Sequence, residues 1–142
     1  MIQIKLIKEY SGKQLTNKFK KKYGSIEKLE RMFKRNPEDM MLYGDLDDWI
    51  YFNEHHDEKI KETQVLITEK SNIDIIELEL MGFIKNEHPK SISELAKIAN
   101  KDLSSVQKKV NSLKEAGLIE LKEGVKNSKI PIVNYDKIEI TV

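Results

Sequence analysis

Three stretches hold side chains that could do chemistry. In NEHHDE (53–58), His55 and His56 lie beside Glu54, Asp57 and Glu58, a composition that can hold a metal ion or move a proton. Ligands on one helix face need i, i+3 or i+4 spacing, and adjacent histidines point about 100° apart. The pair therefore makes no recognisable site, although Glu54 and Glu58 could share a loosely held ion. In GDLDDW (44–49) paired carboxylates stand without an accompanying base or nucleophile and read more simply as an acidic helix start. Cysteine is absent and no Gly-rich phosphate loop occurs, which removes disulfides, thiolate metal sites and a cysteine nucleophile. No enzyme, cofactor or metal centre is expected.

The third stretch suits binding. LSSVQKKV (103–110) recurs in Leu103, Val106 and Val110 at helical spacing, yet no carboxylate occurs from Leu103 to Ser112. With Val106 turned inward, Val110, Leu113 and Gly117 fall within about 40° of it at 100° per residue. Ser104, Lys108, Asn111 and Ser112 then point outward, with Ser105 and Gln107 on the flanks. A recognition helix needs this division: an inner side that packs, and an outer N-terminal side that enters the major groove. Serines allow close approach, Gln107 and Asn111 can read base edges, and Lys108 and Lys109 can meet phosphates or guanine. The alternative is a solvated helix whose polar face lacks acids.

The elements that must position this face follow from local signals. Ser91 opens SISE (91–94), a capping box, and Ile92, Leu95, Ile98 and Ala99 give a short apolar face. NKD (100–102) breaks that helix, Asp102 caps the next, and Gly117 ends it. LIEL (118–121) and IPIVN (130–134) read as short strands around the polar loop 122–129. The loop tip brings Lys126, Asn127, Ser128 and Lys129 to phosphates or the minor groove; its plain alternative is a flexible tip. Upstream, 72–89 suits a helix by length, although Ile76, Leu78 and Leu80 also alternate with Glu77 and Glu79.

The first half holds no motif. IQIKLIK (2–8) alternates as a strand, and helices are expected at 11–23, 25–35 and 45–58, then a strand at 63–68. KIEITV (137–142) alternates once more. Trp49, Tyr51, Phe52, Tyr43, Met40 and Met41 suit an N-terminal core, a dimer interface or a groove for a protein partner. KFKKKY (18–23) reads as a solvated helix face or a second phosphate-contacting arm.

Across the 142 residues the net charge is only +1, but it is segregated. Residues 1–35 carry 11 Lys/Arg against 3 acids, 36–87 carry 4 against 14, and 88–142 carry 10 against 7. A basic stripe attracts phosphates, and an acidic segment suits a protein surface or solvent. No apolar run approaches the roughly 18–20 residues of a membrane span. The N-terminus lacks a signal-peptide core, so a cytoplasmic protein without membrane association is expected.

The stretch from Ser91 to Gly124 resembles the winged-helix transcriptional regulators of bacteria and archaea, broadly the MarR/ArsR-like class. Ser91, Glu94, Leu95, Ala96, Ser105, Val106, Val110, Leu113, Gly117 and Leu118 carry the likeness. PIVNYDKIEI (131–140) is similar to the ending of small archaeal DNA-binding regulators, some of them antitoxins paired with a toxin. The resemblance implies an α+β chain with a winged helix-turn-helix at 72–142 behind an N-terminal α/β region at 1–71. It also implies transcription regulation by a homodimer on double-stranded DNA. The expected contacts are Ser104, Ser105, Gln107, Lys108, Lys109 and Asn111 of the helix, with Lys126, Asn127 and Lys129 of the wing. The alternative is an antitoxin or interaction module whose acidic, aromatic N-terminal region binds a protein partner.

Overall fold

The computed structural model describes residues 2–70 and 72–141, and these form a mixed α+β protein. In chain order the elements are β1 (Ile2–Ser11), α1 (Gly12–Tyr23), α2 (Ile26–Arg35), α3 (Met40–Asn53) and β2 (Lys59–Thr68). There follow α4 (Ile75–Glu87), α5 (Ile92–Ala99), α6 (Leu103–Glu115), β3 (Glu120–Glu123), β4 (Lys129–Ile132) and β5 (Lys137–Ile140). The three-stranded sheet has the order β2-β1-β5, and β3 pairs only with β4. Among the described residues no helix is long and apolar enough to cross a membrane.

Two compact units emerge, Glu9–Glu62 and Met1–Lys8 with Thr63–Val142. The division at 71/72 suggested by the sequence therefore differs from the packing, because β5 recruits the N-terminal strand. Antiparallel pairing sets Ile4 opposite Ile140 and Leu6 opposite Ile138, which lays the buried side chains Ile4 and Leu6 into the larger core.

That core is built by alternation and helical period together. Leu80, Met81 and Ile84 of α4 meet Leu95 and Ala96 of α5 and Val106, Val110 and Leu113 of α6. Leu118, Ile119 and Tyr135 close it from the segments that flank the β3–β4 hairpin. Fully burying one such aliphatic side chain contributes about 1.5–3 kcal/mol. The ambiguous segment 72–89 is thus a helix, capped by Asp74, whose Oδ1 accepts from the Glu77 amide at 2.7 Å. Leu103 departs from expectation. It is exposed, because the inward side of α6 begins only at Val106.

In the unit Glu9–Glu62, Leu15 and Phe19 of α1, Leu29 of α2, and Leu42 and Trp49 of α3 form a separate core, with the Phe19 and Trp49 rings 5.9 Å apart. The third helix starts five residues earlier than its apolar spacing predicts. Asp39 caps it by accepting from the amides of Met41 at 3.0 Å and Leu42 at 3.3 Å. Its C-terminal limit is Asn53, so the two histidines are outside it. Their segment holds the start of α1 instead: Glu58 O accepts from the Gly12 amide at 2.9 Å and His56 O from the Lys13 amide at 3.0 Å. Gly12 is required there, since a Cβ would collide with His55 O. Ile50 of α3 is exposed, as are Met40, Met41, Tyr43 and Tyr51.

Candidate nucleic-acid interface

Two helices and a hairpin position the face singled out above. Ser91 caps α5, its Oγ accepting from the Glu94 amide at 3.0 Å. The reciprocal arm differs from a strict capping box, because Glu94 Oε2 accepts from the amide of Lys90, at 3.4 Å. Asn100 then takes a left-handed conformation, φ 53°, and the Lys101 amide donates back to Ala96 O at 3.0 Å. This ends α5 in the residues NKD. Asp102 immediately restarts the chain, its Oδ2 accepting from the Ser105 amide at 3.1 Å. A tight reversal of this kind sets α6 across α5, with Leu95 and Ala96 against Val106 and Val110 in one core.

The far end of α6 is equally defined. Gly117 has φ 82°, its amide donates to Lys114 O at 3.0 Å, and the Leu118 amide reaches Leu113 O at 2.9 Å. These two bonds are a Schellman closure, which needs the left-handed residue. A Cβ at Gly117 would come within 2.9 Å of Leu66 Cδ1. Gly117→Ala is therefore expected to destabilise the unit by about 1–2 kcal/mol, read from the denaturant midpoint. A midpoint equal to the native one would show that the turn relaxes freely.

Between these ends, Ser104, Ser105, Gln107, Lys108 and Asn111 are exposed, as expected. Two neighbours are not available in the same way. Lys109 is only partly exposed and its Nζ lies 2.7 Å from Asp74 Oδ2. The hydrogen bond with Lys109 holds the Asp74 carboxyl below its ordinary value, and the same bond raises the Lys109 ammonium. Ser112, expected to face outward, is partly buried, and its Oγ accepts from Lys70 Nζ at 2.8 Å. The helix is rotated so that its Lys109–Ser112 flank meets the N-terminus of α4. A carboxylate 35 residues away thus engages one of the two lysines of the pair.

Lys70 is the centre of this junction. Its Nζ also lies 2.9 Å from Glu77 Oε2, and Glu77 is almost fully buried. Glu77 Oε1 in turn accepts from the Asp74 amide at 3.1 Å. Two ion pairs and a serine therefore join the start of α4 to α6 and fix which residues α6 presents outward.

In the hairpin, Gly124 donates to Ser128 O at 2.8 Å and a short 3-10 turn spans Val125–Asn127. Lys126 (φ 54°) and Asn127 (φ 61°) are both left-handed and both exposed, so the tip projects them. Lys129 is not a free cation, because its Nζ pairs with Glu123 across the hairpin. Lys97 and Lys101 join the candidate surface, although the sequence reading does not single them out. They are exposed, line the cleft between α5 and the start of α6, and lack a carboxylate within ion-pair reach among the described residues. Their signal was present as cations at the C-terminal end of α5 and in the turn. Lys108 and Lys126 are similarly unpaired among the described residues.

Among the described residues no three His, Cys, Asp or Glu side chains converge. His55 instead stacks on Tyr51, with ring centroids 4.1 Å apart, and its Nδ1 lies 2.7 Å from Tyr51 O.

Residues 76–140 match the model of a protein family described as HVO_A0114, a description that states no activity. The match begins within α4, ends with β5 and takes in just under half of the chain. No curated protein and no solved structure matches the chain.

Proposed function

We propose that α4, α5, α6 and the β3–β4 hairpin form a winged helix-turn-helix, and that the chain is a sequence-specific regulator of transcription bound to double-stranded DNA. The observation that carries this reading is the exposed N-terminal face of α6, free of acids from Leu103 to Ser112, with Lys108 on it and Lys97 and Lys101 in the adjoining cleft, these three lysines unpaired among the described residues. Such a face offers short polar groups for base edges, ringed by point charges for phosphates. Two copies would set their α6 helices in successive major grooves about 34 Å apart on a near-palindromic site.

The test is a titration of random-sequence duplex DNA at two salt concentrations, followed by selection of the bound sequences. Lys108→Gln and Lys101→Gln should each lower the salt slope by about 0.9, the release expected for one phosphate contact. Lys109→Gln should leave the slope nearly unchanged, because its charge already meets Asp74. Gln107→Ala should relax base preference without altering the slope. Native slopes for all four variants, together with a selected motif unchanged by Gln107→Ala, would remove α6 as the reading surface.

A second reading has its own observation. Met40, Met41, Tyr43, Ile50 and Tyr51 are exposed along α3, in a segment (36–58) with 8 acids and no Lys or Arg. That surface suits a protein partner, with the chain acting as an antitoxin or interaction module. Capture from native extract that survives nuclease and fails with Met41→Asp would favour it.

A further inference from the structure

The charge of the unit Glu9–Glu62 is divided between two neighbouring stretches of chain. Residues 12–35, which make α1 and α2, carry 9 Lys/Arg against 2 acids. Residues 36–58 carry 8 acids and no Lys or Arg. All nine cations are exposed. One of them, Lys22, pairs with a carboxylate, Asp45, at 3.7 Å; the other eight have none within ion-pair reach among the described residues.

Helix stability does not account for this arrangement. Cations in the last turns, Lys20, Lys21, Lys22, Lys34 and Arg35, suit the helix dipole. Lys13 and Lys28 oppose it, because each stands in the first turn of its helix, and α1 has no acid there. Lys18 faces Lys21 and Lys22 at helical spacing, and Arg31 faces Lys28, Lys34 and Arg35, while Glu27, four residues before Arg31, is not within ion-pair reach of it. Like charges so placed destabilise a helix. Carboxylates that could neutralise them are abundant in the following 23 residues, yet all but Asp45 are held apart from them. A cationic surface kept at the expense of its own helices is suited to a polyanion.

We infer that the exposed cations of α1 and α2 form a second phosphate-binding surface, separate from α6, that contacts the backbone of duplex DNA without reading its bases. The inference rests on the nucleic-acid reading of α6 only in the choice of duplex as the polyanion. Of the two carboxamides within residues 12–35, Gln14 is held in the cap of α1 by Ser11 and Asn17 alone stands exposed among the cations, so the attraction is chiefly sequence-independent, with a steep salt dependence. Its ligand chemistry is the phosphodiester chain itself.

The test uses the full chain with Lys13→Gln, Lys18→Gln, Lys28→Gln and Arg31→Gln together, the four cations that the dipole leaves unexplained. Binding to a random-sequence duplex is measured across a salt series, beside Lys108→Gln and the native chain. The expected result is a salt slope lower by about 3.6, a loss of affinity of at least about tenfold at low salt, and an unchanged selected motif. The thermal midpoint should stay level or rise, since like-charge pairs have been removed. The single variants Lys18→Gln and Arg31→Gln should each give about a quarter of the slope change, which guards against a folding defect in the fourfold chain.

An unaltered slope in the fourfold variant, with Lys108→Gln still effective, would overturn the inference and leave the α6 reading standing. The reverse result would sustain the second surface and remove α6. No binding by the native chain would overturn both. Sedimentation of the same variant covers one competing occupant. Loss of self-association with unchanged DNA binding would assign the surface to the acidic α3 segment of a second copy, and would overturn the inference.

Discussion

A chain with Glu77→Ala is expected to unfold about 3 kcal/mol more easily than the native one, the lower part of the range for breaking a buried ion pair. Glu77 is 3 % exposed and its Oε2 is 2.9 Å from Lys70 Nζ, whose own side chain is 11 % exposed. Truncation leaves the ammonium buried beside Ser112 without its counter-charge and removes the acceptor for the Asp74 amide. The lower part of the range applies because a lysine stem can carry its charge to water. The double replacement Lys70→Met with Glu77→Leu should recover most of the loss, since the penalty comes from the stranded charge and not from the absent attraction. Denaturant titration of the three chains decides it. A single variant within 1 kcal/mol of native, on the scale of an exposed pair, would show that water reaches the junction.

This junction also bears on the proposed function. Lys70 bonds Ser112, and Lys109 bonds Asp74, so both contacts restrain the rotation of α6 about its axis. Loosening it should blur base selection more than it weakens binding to random duplex.

Above pH 10 the native chain is expected to lose about 2–3 kcal/mol of stability that a Tyr135→Phe chain keeps. Tyr135 is buried, its hydroxyl donates to Leu118 O at 2.5 Å, and burial pushes its phenol up to about 12. A phenol raised in the folded state contributes stability that is fully present below its unfolded value near 10. That stability is lost as the pH rises through the folded value. Two pH units correspond to about 2.7 kcal/mol. At neutral pH the phenylalanine chain should be the less stable by about 1–1.5 kcal/mol, because Leu118 O loses its donor. The two stability curves should therefore cross near pH 11. Lysine titration affects both chains alike and cancels in the difference, so parallel curves would mean that the phenolate finds water.

Much of α4, α5 and α6 is legible residue by residue, since caps and periods act over a few positions. Ser91 and Asp102 each start a helix by accepting an amide three residues on, as their types and places in the sequence predict; Asp74 does the same for α4, where the sequence reading singles out no cap. Gly117 ends α6 because its left-handed φ suits a residue without Cβ. Val106, Val110 and Leu113 are buried where the helical period places them. The exposed residues Ser104, Ser105, Gln107, Lys108 and Asn111 follow from the same period.

Other features depend on partners distant in sequence. Lys108 and Lys109 are adjacent and chemically alike, yet Lys109 alone meets Asp74, which the packing of α4 against α6 brings within 2.7 Å. Lys129 is engaged by Glu123 only because antiparallel register sets the two opposite each other. The histidine segment fits a helix by period, but the amides of Gly12 and Lys13 take two of its carbonyls and hold it as a turn. Alternation marks both IQIKLIK and KIEITV as strands without saying that they pair, because an alternating pattern specifies a face and not a neighbour. Short-range hydrogen bonding and helical period thus determine the limits of α5 and α6 and most of the outward residues of α6, Ser112 and Leu103 excepted. The tertiary fold decides which of its cations remain free, because a charge is neutralised by whatever carboxylate packing brings near.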